Sequence, residues 1–144
     1  MRPVSLHRAM HLAALIAFGI AAFLGLSMAV NHFRGVDSGK AMGIVHGLFA
    51  VSGLVMLGVG LLYAPALDAW PAFWAFVLTA AGGSFLFYRQ ATGKPWPSAV
   101  VLIHGGAALA SIAFLLFLIW GNNGASRQSE PGVPAATSAA DGGE

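Results

Sequence analysis

Two histidines stand in matching contexts inside long apolar segments of this chain. His46 lies in the run Ile44-Val45-His46-Gly47, and His104 lies in the run Leu102-Ile103-His104-Gly105. Neutral imidazole is the commonest metal ligand in proteins. An ionisable side chain within a membrane is energetically costly, and for this reason it usually marks a functional site. The chain has no cysteine, which excludes thiolate zinc sites, iron–sulfur clusters and covalent c-type haem. The pair therefore predicts metal or cofactor chemistry based on histidine.

The elements that carry these histidines are predicted to be transmembrane helices. Of the 144 residues, 58% are hydrophobic and only 8% are charged, too apolar for an ordinary water-soluble domain. Charge-free windows cover 9–33, 41–67, 69–88 and 95–126. Each window is long enough to span a bilayer, which takes about 20 helical residues. We expect an all-α integral membrane four-helix bundle, with helices near 11–31, 42–63, 70–88 and 98–120.

The two ends of the chain are expected to lie outside this bundle. Residues 1–10 form a short N-terminal segment, and residues 121–144, rich in Gly, Ser, Ala and Pro, are expected to form a disordered tail. Two arginines, Arg2 and Arg8, precede the apolar residues of the first helix, as in a signal peptide. We expect this helix to be retained, because a repeat pairs it with a later helix.

This repeat relates the two halves of the chain. The segment Phe33–Lys40 aligns with Tyr88–Lys94, since both begin with an aromatic residue and Arg and end with Gly-Lys. Each segment leads into a helix that carries a His-Gly pair. The bundle is therefore predicted to consist of two related helical hairpins whose second helices run parallel. Both imidazoles would then lie roughly 6–10 Å below the same membrane surface and could face each other.

Small residues share a helix face with each histidine. Gly43, Gly47, Ala50 and Gly53 accompany His46, and the equivalent face of the fourth helix carries Ala107, Ala108 and Ser111 beside His104. One use of such faces is close packing between helices. The other is a slot beside the imidazole for a flat ligand such as a porphyrin. For a cofactor site, Gly47, Ala50, Gly105 and Ala108 are the candidate lining residues.

Four cations lie in the two loops on the histidine side: Arg34, Lys40, Arg89 and Lys94. They are candidates to balance the propionates of a haem. The alternative is that they are interfacial anchors of the kind found at the ends of most membrane helices.

In outline, four helices with histidines on the second and fourth resemble the small membrane b-type cytochromes, such as the cytochrome b561-like proteins. The resemblance covers residues 11–120 and is one of architecture. It implies a haem b held by His46 and His104, and electron transfer with a quinone or redox protein as partner. Only His7 and His11 lie toward the opposite surface, both in one segment, so a single haem is expected. The alternative is a cofactor-free accessory subunit that packs against a larger membrane complex.

The remaining features limit the function further. His11 is expected at the interface, and the alternatives are that it faces the bundle or binds a quinone head group. His32 is expected in an exposed loop, and the alternatives are an additional ligand, a proton donor or a propionate partner. A net charge of +2 without a basic run excludes nucleic-acid binding, and Asp68 is the only acid between residues 38 and 129, so no hydrolytic site can be assembled. A redox carrier or subunit is thus favoured over a self-contained enzyme. We expect a bacterial-type inner membrane, and the distribution of Lys and Arg favours both termini outside.

Overall fold

Four long helices make up the computed structural model, which describes residues 6–63 and 69–128, with side chains at 9–63 and 69–120. They are α1 (Leu6–Phe33), α2 (Gly39–Tyr63), α3 (Trp70–Ala91) and α4 (Ser98–Gln128). Each contains a segment long and apolar enough to cross a membrane: Ala9–Phe33, Gly39–Tyr63, Trp70–Ala91 and Ser98–Trp120. Large apolar side chains such as Phe23, Leu78 and Phe117 point outward, where lipid is their natural solvent. The predicted all-α membrane bundle is confirmed.

Two boundaries differ from those expected from the sequence. The helix α1 begins at Leu6, so half of the expected N-terminal segment is helical. The helix α4 continues to Gln128, eight residues beyond the end expected at residue 120. No proline occurs between Ser98 and Pro131, so nothing removes a backbone hydrogen-bond donor from α4 where its apolar span ends. The remainder of the expected tail, 129–144, lies outside the described residues, as do 1–5 and 64–68.

The turns that follow α1 and α3 have the same backbone geometry. Each contains a glycine with positive φ, Gly35 at 70° and Gly93 at 69°, a conformation that side chains rarely adopt. The same three backbone hydrogen bonds close both turns: Arg34 N to Val30 O, Gly35 N to His32 O and Val36 N to Asn31 O after α1, and Thr92 N to Tyr88 O, Gly93 N to Gln90 O and Lys94 N to Arg89 O after α3. The turns are therefore equivalent, with Gly35 matched to Gly93.

This equivalence corrects the loop register deduced from the sequence. Aligning the aromatic-Arg pairs matched Gly35 to Gln90, three positions away from its structural partner Gly93. With the turn glycines matched, each residue of the second hairpin lies 58 positions after its counterpart in the first. Gly35 and Gly93 are separated by this interval, and so are His46 and His104. Identical residues recur at this interval without a gap: Ala14/Ala72, Ala17/Ala75, Phe18/Phe76, Ala22/Ala80, Gly25/Gly83, Ala41/Ala99, His46/His104, Gly47/Gly105, Ala50/Ala108 and Leu57/Leu115. The structure thus supports two related hairpins.

The four helices form a ring in chain order. The helix α1 packs on α2 and α3 packs on α4 within the hairpins, while α1 contacts α4 and α2 contacts α3 between them. In the described part of the chain, α2 and α4 are therefore diagonal neighbours across the bundle axis. Phe18 and Phe76 stack face to face at the centre, with ring centroids 3.9 Å apart and planes 3° from parallel. The buried core, which includes Leu57, Leu61 and Leu115, lies on the side of this stack nearer the chain termini.

Replacing Leu115 by Ala tests this core. Leu115 is fully buried, whereas Leu109 on the same helix is 62% exposed. We expect Leu115→Ala to lower the free energy of unfolding by about 2 kcal/mol or more, because the vacated space loses its packing contacts. Leu109→Ala, which trims a lipid-facing side chain, should have a much smaller effect. Unfolding in detergent micelles measures both, and equal losses would contradict this packing.

Candidate functional site

The two histidines of the repeat meet at the bundle axis. His46 on α2 and His104 on α4 have ring centroids 6.2 Å apart, with ring planes inclined at 77°. Their helices are diagonal neighbours, so the side chains reach across the interior from opposite corners. The structure thus brings together the pair that the sequence placed at matched depth.

Each imidazole is tied to the other helix of its own hairpin by one hydrogen bond. His46 Nδ1 lies 2.8 Å from the carbonyl oxygen of Ala21, and His104 Nδ1 lies 2.9 Å from that of Thr79. A carbonyl oxygen only accepts, so in each case Nδ1 carries the proton and donates it. A neutral ring with a proton on Nδ1 has its lone pair on Nε2. This is the arrangement of metal-binding histidines, whose second nitrogen commonly donates to a carbonyl or carboxylate.

Neighbouring hydroxyl groups are already satisfied within their own helices. Thr79 Oγ1 donates to the carbonyl of Ala75 at 2.9 Å, and Ser111 Oγ donates to that of Ala107 at 2.8 Å. Such bonds to the preceding turn are usual for Ser and Thr in apolar helices. The Nε2 atoms of His46 and His104 are therefore the side-chain atoms of this region best placed to donate an electron pair to a ligand.

A glycine lies against each imidazole. A Cβ added to Gly25 on α1 would come within 3.0 Å of His46 Cε1, and one added to Gly83 on α3 within 2.8 Å of His104 Cε1. The sequence pattern around the histidines did not indicate Gly25 or Gly83, because these glycines lie on the facing helices α1 and α3. Their recurrence at the interval of 58 was the signal in the sequence that could have identified them.

A small cavity lies beside the rings, bounded by the Phe18–Phe76 stack. Its volume is about 70 Å³, and six pairs of repeat-related residues line most of it: His46/His104, Phe18/Phe76, Ala21/Thr79, Ala22/Ala80, Ala50/Ala108 and Leu54/Ile112. The cavity therefore straddles the axis that relates the hairpins. Ala50 and Ala108 line it as expected. Gly47 and Gly105 do not, because successive residues of a helix lie about 100° apart around its axis.

This cavity is smaller than a porphyrin pocket in the arrangement described. Water occupies about 10–15 Å³ by a comparable measure, whereas pockets for larger ligands are about 300–1,000 Å³. Two imidazoles could serve as the axial ligands of a haem, but the space between the helices is too small for the macrocycle. A macrocycle would enter only if α2 and α4 moved apart and the stacked phenylalanines were displaced.

The four candidate cations remain at the loop surface. Lys40 Nζ donates to the carbonyl of Ala91 at 3.3 Å, and Arg89 Nε donates to that of Pro95 at 2.7 Å. Lys94 lies over the ring of Tyr88, and Arg34 is exposed. Lys40 precedes His46 by six residues, a rise of about 9 Å along the helix. These contacts are those of interfacial anchors, and none of them brings a cation to the imidazoles.

The other two histidines with described side chains, His11 and His32, occupy positions that differ from those expected. His11 is buried rather than interfacial, with its Nε2 against Gly60, where an added Cβ would come within 2.9 Å. His32 lies in the last turn of α1 and is partly buried; its Nε2 is 3.1 Å from Ser98 Oγ, and its ring lies beside Trp96. His11 thus packs the first hairpin, and His32 connects α1 to the start of α4.

No protein-family model, curated protein or solved structure matches this chain. These comparisons identify no cytochrome b561-like family, and the function must be inferred from the site.

The tautomeric state of the two rings gives a direct test of the site. In the ¹⁵N spectrum of histidine-labelled, cofactor-free protein, we expect the neutral form of both His46 and His104 to carry its proton on Nδ1. Free histidine prefers the proton on Nε2, so the shift reports the two carbonyl bonds. Replacing each histidine by Asn in turn assigns the signals. Rings protonated mainly at Nε2 would contradict the geometry.

Proposed function

We propose that this chain is a membrane electron-transfer protein, or the subunit of one, that binds a single haem b through His46 and His104. One observation carries the proposal. Two imidazoles from diagonal helices approach each other at the bundle axis, and each has its Nδ1 bound to a carbonyl and its lone pair on Nε2.

The ring separation supports a shared metal. Two metal–nitrogen bonds of about 2.0–2.1 Å, with about 1.1 Å from each nitrogen to its ring centre, place the centroids about 6.2–6.4 Å apart. The observed separation is 6.2 Å. This agreement in centroid separation supports the proposal that the two histidines share one ion.

The donor set favours haem over a bare ion. Among the described residues, no group of three or more His, Cys, Asp or Glu side chains could hold a metal. A protein-only zinc site usually has three or four such ligands. Haem supplies four nitrogens of its own and needs only two from the protein. Axial ligation by two histidines leaves no open position on the iron, which favours electron transfer over oxygen chemistry.

The way the hairpins pack suggests how space for the macrocycle would arise. Helix packing is more extensive within each hairpin than between them, so the seam between hairpins is the weaker contact. Opening this seam would separate His46 from His104 while leaving each histidine attached to its own hairpin. The residues beside the rings, including Ala22, Ala50, Ala80 and Ala108, have little bulk to obstruct a flat ligand.

Partner and placement follow from the same proposal. An electron carrier confined to a membrane exchanges electrons with a quinone or with a redox protein in or on that membrane. A bacterial-type inner membrane with both termini outside would place Arg34, Lys40, Arg89 and Lys94 on the cytoplasmic side, as the positive-inside rule favours.

An absorption spectrum of protein purified with haem available during expression tests the proposal. We expect reduced b-type bands from the wild type and their complete loss in His46→Ala and in His104→Ala, since each removes one axial ligand. His32→Ala is the matched control and should keep the bands, because His32 contacts Ser98 at the surface. A colourless wild type, or bands that survive both ligand changes, would refute this function.

A second function is favoured by the small cavity and by the hydrogen bonds that the two imidazoles already make. In this alternative the chain is a cofactor-free accessory subunit, and the histidines hold each hairpin together. It predicts colourless protein that co-purifies with a membrane complex. His46→Asn and His104→Asn should then leave complex assembly intact, because an amide can replace a single hydrogen-bond donor.

A further inference from the structure

Two cations at the end of α3 lie above aromatic rings on the outer surface of the bundle. Arg89 Cζ is 5.8 Å from the centre of the Phe85 ring, and Lys94 Nζ is 5.7 Å from that of Tyr88. Phe85 is 45% exposed and Tyr88 is 56% exposed, so both rings face lipid. We propose that Arg89, Lys94 and Lys40, here called the basic patch, bind the headgroup of an anionic phospholipid. The basic patch lies at the loop surface, so this proposal does not depend on haem.

One face of α3 offers contacts to both parts of such a lipid. Phe85, Tyr88 and Arg89 are spaced by three and four residues, so they lie on the same side of the helix. Leu78 continues this face toward the middle of the membrane, about 10 Å below Phe85. It is 75% exposed. An acyl chain can therefore lie along these apolar side chains while its headgroup lies beside Arg89.

The Arg89 guanidinium is oriented by a bond that does not use its terminal nitrogens. Nε donates to the carbonyl of Pro95 at 2.7 Å. A guanidinium has five N–H donors in a planar fork, and the four on the terminal nitrogens can donate in pairs to the oxygens of a phosphate. The Phe85 ring lies beneath the same group, where a cation is attracted to the face of the ring. Arg89 is thus held in place before a lipid binds.

The two turns have the same backbone geometry but differ in charge. The turn after α1 carries Arg34 and Asp37, whose formal charges cancel. The end of α3 and the turn that follows it carry Arg89 and Lys94 and no acid. Lys40 adds a third cation at this helix end, because its Nζ donates to a carbonyl of the last residue of α3 at 3.3 Å. A negative headgroup is therefore attracted to the second turn more strongly than to the first.

Lipid titration followed by native mass spectrometry tests the proposal. Phosphatidylglycerol and phosphatidylcholine with the same acyl chains both contain a phosphate, but only phosphatidylglycerol has a net negative charge. We expect the wild type to bind phosphatidylglycerol more tightly. Arg89→Gln and Lys94→Gln should each weaken this binding by about fivefold and leave the binding of phosphatidylcholine nearly unchanged. Equal affinity of the wild type for the two lipids would overturn the proposal.

Arg34→Gln is the matched control. It removes one positive charge from the same membrane surface, in the turn with the same backbone geometry. We expect it to keep most of the wild-type affinity for phosphatidylglycerol. A loss as large as that of Arg89→Gln would show that net charge attracts the lipid without a particular site, and this would overturn the assignment to the basic patch.

A competition experiment separates a lipid from a free anion. Inorganic phosphate should displace phosphatidylglycerol no better than sodium chloride of the same ionic strength, because phosphate cannot make the acyl-chain contacts with Phe85 and Tyr88. Specific displacement by phosphate would overturn the choice of a lipid. Unfolding temperatures provide an independent measurement, since a ligand that binds the folded state stabilises it. Phosphatidylglycerol should raise the unfolding temperature of the wild type and of Arg34→Gln more than that of the double variant Arg89→Gln/Lys94→Gln, and equal increases would contradict the proposal.

Discussion

A buried imidazole in a membrane must find a hydrogen-bond partner within the protein, and much of this structure follows from how His46 and His104 do so. Helix carbonyls have a second lone pair beyond the one used in the helix, and Ala21 and Thr79 offer it to the two Nδ1 atoms. Each bond joins the two helices of one hairpin. It also fixes which nitrogen carries the proton. The lone pair is left on Nε2 because Nδ1 donates its proton to the carbonyl.

The repeat gives each hairpin one such histidine–carbonyl bond, and the two hairpins are arranged around the bundle axis. A residue near that axis meets its own counterpart, as Phe18 meets Phe76 in the stack and His46 meets His104 above it. A single ion on the axis would therefore have two nearly equivalent ligands. The symmetry does not extend to the ends of the bundle: the position of His32 is occupied by Gln90 in the second hairpin. Gln90 Nε2 donates to the carbonyl of Gly39, whereas His32 contacts a hydroxyl.

The sequence alone predicted the helices and the histidine pair, because both depend on local patterns. A charge-free apolar window indicates a membrane helix wherever it occurs, and a repeated His-Gly pair indicates equivalent depth. The orientation of residues within each window could not be predicted in the same way, since both the core and the lipid side of a membrane helix are apolar. His11 was expected at the interface for this reason, although the absence of a side chain at Gly60 allows it to be buried. Gly25 and Gly83 were missed because their role depends on a residue across the helix pair.

The small size of the cavity and the available lone pairs on the two Nε2 atoms are compatible if each hairpin behaves as a unit. Both bonds that orient the histidines lie within hairpins, as do the contacts of Gly25 with His46 and of Gly83 with His104. The Phe18–Phe76 stack, the less extensive packing between the hairpins and loop hydrogen bonds such as Lys40 to Ala91 hold the two hairpins together. Movement along the seam would widen the cavity without altering the protonation of either ring. The hydrogen bond that orients each imidazole is thus made within one hairpin, whereas the space between the two imidazoles depends on how the two hairpins meet.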